Sequence, residues 1–162
     1  AGFLGFSIDD VRIRDSLKLA SEMGMEYRIE TTSLDNAHPN TVVIELEGET
    51  GKKVSITGSS IGGGNVVIKR INNLEVEFTG QYYTLIVQHY DKPGVIAMVT
   101  TLLGENEVNI AAMRVYRSYR GGIAFMVIET DQEISEELVS RICHQPGVIH
   151  AAGIKSLQQE ED

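Results

Sequence analysis

The 162-residue chain has a single cysteine, three prolines, no tryptophan, a deficit of positive charge and no long apolar run. Cys143, standing alone, excludes an internal disulfide and leaves too few thiolates to hold a zinc ribbon or an iron–sulfur cluster within this chain. Beside Ile142 in an expected helix, it reads as a buried, inert thiol, and the default compartment is a reducing cytoplasm. Lys and Arg number 14 against 23 Asp and Glu, a net charge of −9, and no basic cluster is longer than Lys52-Lys53 or Lys69-Arg70. That balance argues against nucleic acid and against an anionic membrane surface as partners. No apolar run has the length of a transmembrane helix, and no signal peptide is visible. The chain opens Ala-Gly-Phe without Met, which sets the expectation of a trimmed fragment. Catalytic signatures are missing too: there is no nucleophile elbow, no HExxH and no phosphate loop ending in Lys-Ser or Lys-Thr. The acidic pairs Asp9-Asp10, Glu136-Glu137 and Glu160-Glu161 fall at helix starts or in the tail, where they favour the helix dipole or solubility.

What is present is a globular composition, 42% hydrophobic and 23% charged, in a length that suits one ordinary domain or two small ones. Ser7-Ile8-Asp9-Asp10 reads as a capping box, followed by Ile13, Leu17 and Ala20 at helical spacing and closed by Gly24. Strand-like runs follow at Glu26–Thr32, Thr41–Leu46, Lys53–Thr57 and Val66–Ile71, with a last short one at Val76 and Phe78. The first half thus predicts one helix with a mostly antiparallel sheet. After Gly80-Gln81 the pattern becomes strand (Tyr83–His89), helix (Val95, Met98, Val99, Leu102), strand (Asn109–Tyr116) and strand (Ile123–Glu129). A helix capped by Ser135 and a strand at Val148–Ile154 complete it. That is the βαββαβ order of a ferredoxin-like domain, and the class is α+β. Gln158–Asp162 is a polar, acidic tail.

Two segments carry groups suited to a ligand. His89-Tyr90-Asp91-Lys92-Pro93-Gly94-Val95 joins a strand to a helix, and Val108-Asn109-Ile110-Ala111 follows about one helix later. Pro93-Gly94 makes the turn and leaves backbone N–H groups at the helix start open to an anion. Imidazole and carboxamide N–H groups of His89 and Asn109 suit a carboxylate or hydroxyl, and Asp91 accepts from an ammonium. The residues alone leave two readings open, a zwitterion site or a polar edge where strands meet solvent. In the first half, Ser59-Ser60-Ile61-Gly62-Gly63-Gly64-Asn65 allows close backbone approach to a ligand, or is simply a flexible hairpin connection. It is no dinucleotide fingerprint, because Val66-Val67-Ile68 reads as a strand where a helix is required. His38-Pro39-Asn40 is a loop whose proline aims both flanking side chains, or is plain solvated surface.

Asp91-Lys92-Pro93-Gly94-Val95 and Val108-Asn109-Ile110-Ala111 carry a resemblance, over roughly residues 82–157, to the ACT domain, the small-molecule regulatory module of amino-acid metabolism. The resemblance implies that His89, Asp91 and Asn109, with Pro93, Gly94, Val95 and Ile110, contact a small amino acid, L-serine foremost. It also implies a site across a homodimer interface where two ACT sheets join side by side. Serine-responsive dehydrogenases of this kind carry Asn at the position of Asp91, so the added charge retunes the pocket or changes its ligand. The first half resembles the allosteric-substrate-binding domain, a partial α/β unit, of phosphoglycerate dehydrogenase and of iron–sulfur L-serine dehydratase. Its ligand residues would be His38, Asn40, Ser60, Gly62, Gly63 and Gly64, and the His-Pro-Asn and triple-Gly pair fits the dehydratase better. Family β chains begin with several dozen further residues, so this first domain is expected to be incomplete. The expected organisation is residues 1–79, an ACT domain at 80–157 and a tail at 158–162. The resemblance implies a β chain with no cofactor of its own, partnered by a catalytic α chain that holds a [4Fe–4S] cluster. The alternatives are the C-terminal regulatory region of a phosphoglycerate dehydrogenase and a free-standing amino-acid-binding module.

Overall fold

A computed structural model describes residues 2–7, 9–35 and 37–156, and the expected tail at 158–162 lies outside them. Contacts divide the chain after Asn36 into two compact units.

In the first unit a tight helical turn, Val11–Asp15, leads into α1, Ser16–Glu22. The cap differs from expectation. Ser7 Oγ donates to Asp9 at 2.7 Å, and it is Asp10 that caps, accepting from the Arg12 N–H at 2.8 Å. Asp10 wins because its carboxylate also holds the Arg12 guanidinium, 2.6 Å away. Gly24, with φ +79°, ends the helix as expected. The run Glu26–Thr32 is not a strand. Its alternating Tyr27 and Ile29 find no partner strand among the described residues and stay exposed, and a lone extended segment has no ladder to join.

The second unit holds two four-stranded sheets, and the class is α+β as expected. In the first, β1 (Thr41–Glu47), β2 (Lys53–Gly62), β3 (Asn65–Ile71) and β4 (Leu74–Phe78) run in sequential antiparallel order. β2 is five residues longer than the expected Lys53–Thr57. Thr41 pairs with Ser59 and Val66 with Ser60, so neighbours on both sides recruit small residues of low intrinsic preference. The triple glycine is the β2–β3 hairpin turn. Gly63 and Gly64 both take positive φ between paired Gly62 and Asn65, as a two-residue I′-type hairpin requires.

The second sheet contains β5 (Tyr83–Tyr90), β6 (Ile110–Arg117), β7 (Ile123–Thr130) and β8 (Val148–Ile154), in the order β6-β7-β5-β8. Helices α2 (Val95–Glu105) and α3 (Glu136–Cys143) give it the ferredoxin-like order. Leu85 and Val87 of β5 pair with Ile128 and Met126 of β7, and all four are fully buried against Val99 and Leu103 of α2 and Ile142 of α3. Burial of each such side chain favours folding by about 1.5–3 kcal/mol. Ser135 caps α3, accepting from Leu138 N–H at 3.2 Å. Cys143 is half-buried, and its Sγ accepts from Ala151 N–H at 3.2 Å, so the thiol occupies an outer backbone group of edge strand β8.

The opposite face of this sheet packs on the first one. Phe125 and Val127 of β7 join Ile71, Val76 and Phe78 in one apolar cluster. Tyr116 of β6 works beside it as a substitute strand: its hydroxyl donates to Glu77 C=O and accepts from Glu77 N–H, both at 3.0 Å. The Gly80-Gln81 junction lies between the two sheets.

Candidate functional site

β5 ends on His89, buried to 1% exposure on the helix-covered face. Its Nδ1 donates to Tyr90 C=O at 2.8 Å, and its Nε2 is buried with no hydrogen-bond partner among the described residues. A buried polar atom left without a partner costs about 1–3 kcal/mol, and in native proteins it calls for an explanation. Next comes Asp91. Its N–H donates to Gly122 C=O at 2.8 Å, extending the β5–β7 ladder by one step. Its Oδ2 accepts from Gly121 N–H at 2.9 Å and from Arg117 Nη1 at 2.8 Å. Gly94, with φ +91°, then starts α2, and no side chain caps that helix. Gly147 C=O accepts from Tyr90 N–H at 2.9 Å, strapping the α3–β8 turn to the same loop.

The Gly121 N–H first, and the Arg117 guanidinium second, hold the Asp91 carboxyl below the ordinary aspartate range. A carboxyl with a lowered folded-state pKa stabilises the fold above its unfolded value. That stabilisation fades as pH falls through the folded value. We expect the Asp91 carboxyl carbon to titrate below an unstructured aspartate by NMR. Arg117→Gln should return it only part of the way, because Gly121 remains; a midpoint at the unstructured value in the parent chain would contradict the geometry.

Asn109 lies elsewhere. It stands just before β6, whose Ile110 pairs with Thr130, which in turn pairs with Tyr83 at the start of β5. Asn109 is therefore at the opposite end of the sheet from His89 and Asp91, and the three do not converge within one chain. Its Nδ2 donates to Asp131 at 2.5 Å and its N–H to Gln132 Oε1 at 2.8 Å. These bonds fix the exposed Asn109 and, behind it, Ile110 at the edge of the sheet.

In the first sheet the two motifs do meet. Thr41 Oγ1 donates to His38 C=O at 2.6 Å and lies 2.8 Å from Ser59 Oγ, and Ser60 N–H donates to Asn40 C=O at 2.9 Å. His38 and Asn40 thus sit beside Ser60 at the Gly62-Gly63-Gly64 end of the sheet, all solvent-exposed. Asn65 Oδ1 accepts from Gln81 Nε2 at 2.9 Å, tying that turn to the junction between the sheets.

Sequence reasoning missed Arg117 and Gly121, the partners of Asp91. The signal available for Arg117 was alternation: it shares a strand face with Met113 and Val115, an odd place for a charge unless it meets one.

Comparison with known proteins matches the ACT domain family over residues 83–143. The chain is 39% identical over 142 residues to the L-serine dehydratase β chain of Peptoniphilus asaccharolyticus, covering 87% of this chain and 64% of that one. It is 33% identical over 153 residues to the probable L-serine dehydratase β chain of Bacillus subtilis, covering 94% of this chain and 69% of the relative. The D-3-phosphoglycerate dehydrogenase of Bacillus subtilis is 27% identical over 150 residues, 92% of this chain but 28% of the enzyme. The chain thus spans about two thirds of the β chains it matches, and it belongs to the family of L-serine dehydratase β chains, with an ACT domain in its second half.

Proposed function

We propose that this chain is the regulatory and assembly β subunit, or part of one, of a bacterial L-serine dehydratase, the enzyme that converts L-serine to pyruvate and ammonia. Residues 80–157 sense serine or a related amino acid, and residues 1–79 form the companion domain. The observation that carries the sensing is His89, a buried imidazole with an unpartnered Nε2 at the loop where ACT strand meets ACT helix. One cysteine, and no grouping of three His, Cys, Asp or Glu among the described residues, do not fit an iron–sulfur site here. The proposal assigns the [4Fe–4S] cluster to a catalytic α chain, and no step runs through it on this one.

A homodimer accounts for the position of Asn109. β6 is an edge strand with half-exposed Met113 and Val115. Two-fold pairing of β6 with its copy runs the strands antiparallel, which sets the start of one beside the end of the other. Asn109 of one copy then approaches the Asp91 loop of the second. Among the described residues no helix is long and apolar enough to cross a membrane, and the working compartment in this proposal is the cytoplasm. The identities of 39% and 33% to β chains, against 27% to the dehydrogenase, favour this reading over a dehydrogenase regulatory region or a free-standing module.

The test is activity of the complex with its α chain as L-serine is titrated, with glycine and alanine as controls. Allosteric coupling of about 1–3 kcal/mol corresponds to a 5–150-fold change in apparent affinity. Replacing His89 and Asn109 together by Ala should abolish the serine response. An unchanged response in that double variant rules out sensing at this loop.

A further inference from the structure

We propose that Arg117 is a specificity-determining residue of this loop, binding the carboxylate of the ligand while Asp91 binds its ammonium, so that the site selects zwitterions. The inference rests on the amino-acid-sensing reading and adds to it a residue and the charge basis of its selectivity.

Strand register places the groups. Ala124 of β7 pairs with His89 on one side and with Arg117 on the other. Paired residues share a face, so Arg117, Ala124 and His89 form one row across the sheet, and its ends stand about 10 Å apart at two strand spacings. The central methyl is the smallest side chain a chiral residue can place in that row. Ala124 and His89 are both sealed, at 0% and 1% exposure, and the Asp91–Arg117 pair closes the loop at this end of the sheet.

That pair has capacity to spare. Asp91 spends only Oδ2, on Gly121 and Arg117, and Oδ1 accepts no hydrogen bond from the described residues. Arg117 uses one of its five N–H donors, and its side chain is half-exposed. With Arg117 half-exposed, the pair is open to water from that side and can be parted there. A zwitterion that enters gives each partner a new opposite charge. A ligand with only a carboxylate satisfies Arg117 and strands Asp91 beside a second anion. A ligand with only an amine strands Arg117. The charge at Asp91, read from the sequence as an added negative, is thus half of a pair matched to both ends of an amino acid.

The test is calorimetric titration of the 162-residue chain with L-serine, with 3-hydroxypropionate (no amine) and with ethanolamine (no carboxylate). The parent chain should bind L-serine at least tenfold more tightly than either fragment. Arg117→Gln should weaken serine at least tenfold and Arg117→Lys by less, with urea midpoints near the parent's. As a measure independent of any variant, the Arg117 Nε–H resonance of the parent should shift on saturation with serine. Unchanged serine affinity in Arg117→Gln, equal binding of 3-hydroxypropionate and serine, or a stationary Arg117 resonance overturns the inference and leaves sensing in place. A parent chain that binds no amino acid at all overturns the sensing reading, and this inference falls with it.

Discussion

Gly147→Val should destabilise the ACT half by about 2–6 kcal/mol, from backbone strain and overpacking together. Gly147 has φ +87°, a region in which a β-branched residue is strained by about 1–3 kcal/mol. A Cβ there would stand 2.9 Å from Val95 Cγ2. Val95 cannot step aside cheaply, being 5% exposed at the first position of α2 and stiff at χ1. Forcing it away costs about 1–3 kcal/mol more. Against a total stability of about 5–15 kcal/mol, such a loss is large. Gly147→Ala meets the same φ and the same methyl with a smaller side chain, so about 1–3 kcal/mol is expected. Urea unfolding of both variants measures this, and a loss below about 1 kcal/mol for the valine would show that the turn adapts. The change also reaches the ligand loop, because Gly147 C=O holds Tyr90 N–H beside His89 and Asp91.

Phe125→Ala carries the second large effect, about 3–5 kcal/mol, with an uneven distribution. The first sheet has few buried apolar residues among those described: Val67, Ile71, Val76 and Phe78. Three of these belong to the cluster that Phe125 completes. The core of Leu85, Val87, Met126 and Ile128 beneath α2 and α3 is on the other face and is untouched. Hydrogen exchange should therefore show β1–β4 losing protection before β5–β8. Equal loss in both sheets would mean that the two are one cooperative unit even without the ring.

The same division explains what the sequence revealed. In the ACT half, period-two runs such as Leu85 and Val87 and the helical stripe of Val95, Met98, Val99 and Leu102 are punctuated by Pro93-Gly94 and Pro146-Gly147, and Leu103, beside that stripe, is the residue the helix buries with Val95 and Val99. Local pattern and final structure agree there almost residue by residue. Glu26–Thr32 has a strand's composition and no strand's partner, and composition cannot supply one. β2 outran its pattern through Gly58, Ser59 and Ser60 because its neighbours, and not its own residues, decide where a ladder ends. For the candidate site, the segment His89–Val95 was legible as a strand–turn–helix junction. The partners of Asp91 are 26 and 30 residues away, and the separation of Asn109 from it follows from strand register alone. Register is a property of pairs of strands, so no single segment displays it.

The position of Ala124 also bears on the rest of the family. Ala124 is fully buried between His89 and Arg117 in one row across the sheet, so a larger side chain there would have to displace its neighbours on the helix-covered face. A relative with such a side chain would thereby lose its ligand. If the proposed sensing holds, the residues at 89, 117 and 124, read together, would separate β chains built to respond to an amino acid from those in which the domain only holds subunits together.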